Sequence, residues 1–515
     1  MVDNMLESNI FKNLNSKEVF SFFIEISKIP RGSGNTKEIS DYIKSFAIKR
    51  NLEYYQDDFN NVIIYKNGTT CYENKDSLIL QCHMDMVCDK KLGSLKNMDL
   101  EGIDLAVDGD YLYGEETSLG ADNGIAVAMI LSVLDDNLLN HPPIEAVFTS
   151  DEEIGLIGAN NLDMSKLQGK TLINLDSEEE GVMVVSCAGG NRLDIDIPVL
   201  RESFVDFSNS NLKLLNISIK GLKGGHSGLE IDKGLANANK LSALLLKEIK
   251  DNIDEDIKLV NLSGGHLDNA IPTFGEFSIL SSNPEKVKLI SKKFNQEINL
   301  DYENIEDNIS ICVDVVNFNY SSDSCSNLDF NKLGSKNKFN YEYISNESLD
   351  KIINFIIEMP DGVQKMSSDI NGLVETSLNL GIISLDQNHF NASTAIRSNS
   401  KEGKSKLNTS ISLIAESYGG KTQIKGDYPG WDYDSNSYIS KVISKEFELL
   451  YDEPLKLSII HAGLECGLFV DKICGLDAVS IGPTMLDVHS YNEKVSISSV
   501  DRTYKLLLNI LEKLS

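Results

Sequence analysis

Residues 124–137 read GIAVAMILSVLDDN, apolar almost throughout until Asp135. At helical length and with no polar face, such a segment predicts a helix buried on every side. Short apolar runs that read as strands surround it: SLILQCHMDMV (77–87) before it, IEAVFTS (144–150) and TLINLD (171–176) after it. Upstream, SKEVFSFFIEISKI (16–29) and NTKEISDYIKSFAIKR (35–50) carry apolar residues at helical spacing. Strand–helix alternation of this kind predicts a three-layer α/β domain with a mainly parallel sheet.

Near Asn191 the rhythm changes. NLKLLNISIKGL (211–222), KGLANANKLSALLLKEI (233–249), IKLVNLSGG (257–265), FGEFSILSS (274–282), NPEKVKLISKKFNQEI (283–298) and ISICVDVVNF (309–318) read β-α-β-β-α-β. That order is a ferredoxin-like unit. After a polar, Asn- and Ser-rich stretch at 318–346, the pattern partly recurs from NESLDKIINFIIEM (346–359) to KTQIKGDY (421–428), which suggests two such units in tandem. From Pro429 the α/β rhythm returns. The expected organisation is therefore an α/β domain over residues 1–190 and 429–515, interrupted by an inserted α+β domain over 191–428.

At 515 residues the chain is too long for one core. Its net charge of −30 repels phosphate backbones and anionic lipid, so nucleic acid and membrane are unexpected partners. No apolar run is long enough to span a bilayer, and no secretory signal is visible. The eight cysteines lack paired metal spacing and read as reduced thiols of a cytoplasmic protein.

In open parallel sheets, ligands bind beyond the carboxyl ends of the strands. Here that edge collects His83 and Asp85, Asp122, Glu152 and Glu153 in TSDEEIGLIGA (149–159), Asp176, and His489 in TMLDVHSYNEK (484–494). An acidic pair at a strand end is usually a solvated turn, but five segments converging on one edge ask for another explanation. No Lys or Arg lies near these carboxylates in sequence, so divalent metal is the expected counter-charge. Five ligands (His83, Asp122, Glu153, Asp176, His489) suit two metals if one carboxylate bridges. Asp85, two residues from His83 on a strand, shares its face and can fix the imidazole tautomer. Asp122 is expected at a helix N-cap position. Of the adjacent Glu152 and Glu153, one can bind metal while the other faces water.

LQCHMDMV (80–87), GADNGIAVAM (120–129), TSDEEIGLIGA, NLDSEE (174–179), GGHSGLEI (224–231), HAGLECGLF (461–469) and GPTMLDVHS (482–490) resemble the motifs of the aminoacyl-histidine dipeptidases, within the co-catalytic zinc exopeptidases. The resemblance implies one zinc on His83, Asp122 and Asp176, a second on Asp122, Glu153 and His489, and Glu152 as general base. Co²⁺ or Mn²⁺ would accept the same ligands. The resemblance also makes 1–190 with 429–515 the catalytic domain and 191–428 a lid or dimerisation domain, and lifts His226 to an oxyanion-stabilising role. Asn269, Arg397, His461 and Glu465 become candidates for substrate contacts, with Arg397 suited to a free carboxylate and Glu465 to an ammonium. The implied activity is hydrolysis of unblocked dipeptides, Xaa-His among them, by a monomer or homodimer. The alternatives are an aminoacylase acting on N-acyl groups and a non-catalytic metal-binding scaffold. Two departures, Cys88-Asp89 and Tyr491-Asn492, spare every implied ligand and bear on substrate preference.

Overall fold

The computed structural model describes residues 11, 14–204, 211–253, 257–316, 341–367 and 372–514. Most of the Asn- and Ser-rich stretch, with Cys325, lies outside them. The chain divides into two compact units, residues 1–188 with 429–515 and residues 189–428.

The first unit is built on an eight-stranded sheet in the order Glu53–Gln56, Val62–Lys66, Ile144–Thr149, Leu78–His83, Thr171–Asn174, Asp477–Ser480, Val182–Cys187, Lys456–Ile460. The four strands from Ile144–Thr149 to Asp477–Ser480 run parallel. The first two pair antiparallel, and Val182–Cys187 turns antiparallel to Asp477–Ser480 while taking Lys456–Ile460 in parallel. Every residue of Leu78–His83 and Ile144–Thr149 is buried, as expected of strands covered on both faces.

The apolar helix forms as read, over Ala121–Asp135, with every residue from Ala121 to Leu134 buried. It packs against helix Lys17–Ile26 and meets helix Ile497–Leu514, where Ser132 Oγ and Tyr504 OH lie 2.8 Å apart. Each such Leu, Ile or Val contributes about 1.5–3 kcal/mol on burial. A charge at Ile130 would break this packing.

A small sheet in the same unit joins Met485–Leu486, Lys494–Ser496, Tyr111–Gly114 and Leu105–Asp108. Its register sets Lys494 opposite Tyr113 and Ser496 opposite Tyr111. It thereby fixes both the loop that carries His489 and the turn that leads into the apolar helix.

The second unit holds a nine-stranded antiparallel sheet. Its main order is Ser310–Val315, Lys213–Lys220, Gly275–Ser281, Lys258–Gly264, Val374–Leu385, His389–Ser398, Gly189–Pro198, Lys421–Tyr428, with Gly362–Met366 pairing beside Val374–Leu385. The first four strands, with helices Ala238–Asn252 and Pro284–Asp301, make the expected ferredoxin-like unit. The last four repeat its strand order with helices Asn346–Glu358 and Lys401–Ser417. The two are nested rather than end to end: the second takes its first strand, Gly189–Pro198, from before the first, and they join edge to edge where Ser263 faces Ser384. Local signals begin the helices here. Asn237 accepts from the Asn239 and Lys240 amides, and Asn283 caps a helix with Pro284 in its first turn. Among the described residues, no helix is long and apolar enough to cross a membrane.

Candidate active site

Parallel strands deliver the site of the first unit. His83 ends Leu78–His83 and is 1% exposed. Its Nε2 lies 3.2 Å from Asp122 Oδ1 and 3.3 Å from Asp176 Oδ1, while its Nδ1 lies 3.4 Å from Asp85 Oδ1. His489 Nε2 stands 3.0 Å from Asp122 Oδ2 and 3.0 Å from Glu153 Oε1. Three groups of side chains converge closely enough to hold an ion: His83, Asp122 and Asp176; Asp122, Glu153 and His489; and His83, Glu152 and Glu153. Asp122 thus offers one oxygen to each of the first two groups.

Asp122 reaches this place by a route the sequence reading did not foresee. Gly120, not Asp122, occupies the N-cap position, in the left-handed region at φ 65°. Asp122 lies inside the first turn with non-helical angles (φ −80°, ψ 106°), so the chain kinks there and aims the carboxylate at the two imidazoles. His489 itself has φ 61° and Asp487 φ 54°, both unusual for non-glycine residues.

Asp85 is fully buried and saturated. It accepts from Ser33 Oγ at 2.7 Å and from the amides of Glu152 and Glu153 at 3.0 and 3.3 Å. One carboxylate therefore holds the backbone of the acidic turn and stands 3.4 Å from His83 Nδ1, without a hydrogen bond to it. The turn is bent at Asp151 (φ 52°), whose own carboxylate accepts from the Gly34 amide.

The donor set fits divalent metal. Zinc–ligand bonds of about 2.0–2.1 Å in a tetrahedral arrangement put ligand atoms about 3.3 Å apart. The imidazole–carboxylate separations within the two groups sharing Asp122 are 3.0–3.3 Å, and all donor atoms of each group lie within 4.8 Å of one another. Glu153 Oε1 is buried and makes no hydrogen bond despite its nearness to His489, as an atom placed for a different partner would be.

The electrostatics agree. Burial works against the charge on His83, yet Asp176, Asp122 and Asp85 raise its pKa well above the ordinary value. The neighbouring carboxylates of Asp122 and Glu153 push His489 up to about 11. Burial opposes ionisation of Asp122, but His489 and His83 hold it below the usual carboxylate range. Burial drives Glu152 well above that range; His83 pulls against the shift, while Asp176, Glu465 and Glu153 add to it.

Sequence reading missed two residues. Arg31, 1% exposed, donates from Nη2 to the Gly120 carbonyl at 2.7 Å and feels Glu493, Asp85 and Asp122. Among the described residues, Arg31 thus brings the carboxylates a cationic neighbour remote in sequence, where none was expected nearby in the chain; one guanidinium cannot balance so many acids. Glu493, 2% exposed, accepts from the amides of Leu119, Gly120 and Asp122. Their only sequence signals were positions within IPRGSG (29–34) and HSYNEK (489–494).

Glu465 requires a correction. It was expected to receive a substrate ammonium, but it is wholly buried, its Oε2 accepting from Gln81 Nε2 and from Thr149 Oγ1 at 2.7 Å. Burial first, with Asp176 adding to it and His83 opposing, pushes this carboxyl up to about 7. A group closed off from solvent cannot greet a substrate in this conformation. His461 follows strand Lys456–Ile460 and is 6% exposed.

The second unit assembles its own polar cluster. Gly225–His226 pairs with Ala270–Ile271, placing Asn269 beside the His226 turn, where its carbonyl accepts from the Ser227 amide at 2.9 Å. His226 Nδ1 accepts from the amides of Gly228 and Leu229, at 3.2 and 3.1 Å. A neutral ring so held carries its proton on Nε2. Arg397 Nη2 lies 3.5 Å from that Nε2, too far and with the wrong polarity for a hydrogen bond, so two donors stand side by side. Arg397 also donates to Tyr428 OH at 3.0 Å. Burial and the Arg397 charge lower the His226 pKa, which keeps the ring neutral.

Comparison with known proteins gives a consistent picture. Residues 79–513 match the model of peptidase family M20/M25/M40. The chain is 32% identical over 504 residues to the cytosol non-specific dipeptidase of Escherichia coli (strain K12), covering 97% of this chain and 98% of that protein. Its fold is similar to the crystal structure of aminoacylhistidine dipeptidase from Vibrio alginolyticus, with TM-score 0.85, 32% identity, and coverage of 99% and 98% of the two chains. The aminopeptidase PepT from Bacillus cereus ATCC 10987 shares the fold at TM-score 0.54 and 15% identity, over 97% and 99% of the two chains.

Proposed function

The chain belongs to peptidase family M20/M25/M40, and on that premise we propose that it is a two-metal dipeptidase cleaving unblocked dipeptides, Xaa-His dipeptides among them. The observation that carries this reading is Asp122 shared between two three-donor groups, with the Glu152 carboxylate beside both His83 and Glu153. His83, Asp122 and Asp176 would hold one ion, and Asp122, Glu153 and His489 the other, zinc being best suited and Co²⁺ or Mn²⁺ acceptable. When bound, the ions supply Lewis acidity that polarises a peptide carbonyl and acidifies water.

The chain's own residues do the rest. Glu152 takes the proton of the attacking water on its carboxylate and returns it to the leaving amine nitrogen. A carboxylate already biased towards the protonated form by burial and its neighbours is suited to that exchange. Asp85 stands against His83 Nδ1, leaving Nε2 to face the carboxylates. In the second unit, the His226 Nε2 proton suits a developing oxyanion, and the Arg397 fork suits a substrate carboxylate. Asn269 and His461 are assigned to substrate contact. Cytoplasmic location is part of the reading, supported by seven free cysteines among the described residues.

With Glu465 buried, its carboxylate no longer argues for a free amino terminus, and the aminoacylase alternative must be met by assay. Dipeptides, their N-acetyl forms and tripeptides should be compared with Zn²⁺, Co²⁺ and Mn²⁺ in turn. The expected result is chelator-sensitive hydrolysis of free dipeptides alone. Preferred cleavage of the N-acetyl forms would replace the dipeptidase by an acylase, and metal uptake without any hydrolysis would leave a scaffold. Light scattering decides between monomer and homodimer.

A further inference from the structure

We propose that Glu493, with Arg31, is a positioning residue that holds Asp122 between its two imidazoles. This inference rests on the two-metal reading above. Glu493 Oε2 accepts from the Leu119 and Gly120 amides, both at 2.8 Å, and Oε1 accepts from the Asp122 amide at 3.1 Å. From the same turn, the Gly120 carbonyl accepts from Arg31 Nη2 at 2.7 Å. A buried carboxylate and a buried guanidinium thus grip three amides and a carbonyl of one four-residue turn.

That turn needs gripping. Gly120 is left-handed and Asp122 is kinked out of the helix it begins, so the local chain does not reach this shape by helical preference. Charge-assisted hydrogen bonds to backbone amides are stronger than neutral ones and fix direction as well as distance. Arg31 is packed tightly enough that a Cβ at Gly120 or Gly124 would fall 2.7 or 2.5 Å from its Nη2.

Glu493 also follows His489 by four residues in a loop closed by the pairing of Lys494–Ser496 with Tyr111–Gly114. It therefore ties the loop of one imidazole to the turn of the shared carboxylate. Asp122 gives one oxygen to His83 and the other to His489. A shift of its backbone disturbs both three-donor groups at once. Glu493 belongs to neither group and reaches no solvent, so its influence passes through Asp122.

The test uses full-length, chelator-stripped protein: wild type, Glu493→Gln, Glu493→Asp and Arg31→Lys. Zinc is titrated against a chromophoric chelator, visible spectra are taken with Co²⁺, and the metal-free proteins are melted. Glu493→Gln is expected to weaken both equivalents about 10–100-fold and to shift the Co²⁺ bands. Glu493→Asp should recover part of the loss. A purely structural role would lower the melting temperature and leave both affinities and the spectrum unchanged, and that result overturns the proposal. A loss confined to one equivalent overturns it too, because Asp122 is shared. Should Glu493→Gln fail to fold, Arg31→Lys carries the same expectation and the same refutation. If wild type takes up no metal, both this inference and the proposed function fall; if wild type and Glu493→Gln bind two ions equally well, only this inference falls.

Discussion

Replacing Glu152 by Gln separates proton transfer from everything else the acidic turn does. The backbone at this position is held by Asp85, which accepts the amides of both Glu152 and Glu153, so the amide side chain should sit where the acid sat. Neither three-donor group that shares Asp122 includes Glu152, so both should keep their ligands. What disappears is the proton acceptor. Positioned general acid–base groups contribute about 10²–10⁴ in rate, equivalent to about 3–5 kcal/mol of barrier. The variant should therefore lose kcat by that factor on a dipeptide such as Ala-His, with KM little changed and two metals per chain by elemental analysis. A second readout follows from the raised pKa of this carboxyl. A carboxylate whose folded pKa exceeds its unfolded value costs stability once pH rises past the unfolded value, and the cost grows until pH passes the folded one. Stripped of metal, Glu152→Gln should thus melt higher than wild type at pH 7–8 and alike at pH 4. Full activity in a metal-replete variant would refute the assignment, and a lower melting temperature at pH 8 would refute the electrostatic account.

Four further outcomes are expected. Asp85→Asn releases the His83 ring and should weaken zinc binding about 10–100-fold in a competition titration. Because Asp122 and Glu153 push His489 up to about 11, its ring is charged at pH 7.5 without metal, and His83 is shifted in the same direction. Metal uptake should then release at least the His489 proton, seen as buffer-dependent heats in calorimetry, with affinity rising as pH rises. The same sign makes the His489 contribution to metal-free stability complete below pH about 6.5 and lost as pH climbs through the folded value. Arg397→Lys keeps charge but loses the fork, so KM for dipeptides should rise about tenfold with kcat nearly unchanged. Gly124→Ala pushes a methyl into the buried Arg31 guanidinium and should cost about 1–3 kcal/mol in urea unfolding.

The sequence disclosed the first unit through hydrophobic pattern, because strands buried on both faces and a helix buried all round leave unbroken apolar runs. It disclosed the five proposed metal donors because His83, Glu153 and Asp176 end or closely follow strands, and strand ends are visible locally. Arg31 and Glu493 escaped because the turn they hold lies far from each in the chain, 89 residues from Arg31 and 371–374 from Glu493, and nothing in their own turns announces it. Asp122 was misplaced by one turn geometry: a left-handed Gly120 moves the helix start ahead of it. Glu465 read as a partner for a substrate ammonium, and its local sequence could not show that Thr149 and Gln81 donate to it in the interior. Nesting of the two ferredoxin-like units was invisible for a related reason. GGNRLDIDIP (189–198) alternates like any edge strand, and its neighbours His389–Ser398 and Lys421–Tyr428 lie far downstream.

The strand Asp477–Ser480 lies inside the catalytic sheet, between Thr171–Asn174 and Val182–Cys187, although it comes almost last in the chain. During synthesis its two neighbours leave the ribosome some 290 residues earlier, a wait of roughly 15–60 s at about 5–20 residues per second. Until then the sheet has a slot at its centre, and His489 has not yet been made. A chain that stops short of this strand thus lacks both the middle of its sheet and a proposed ligand, and an enzyme built this way cannot begin cutting before residues 477–489 are in place.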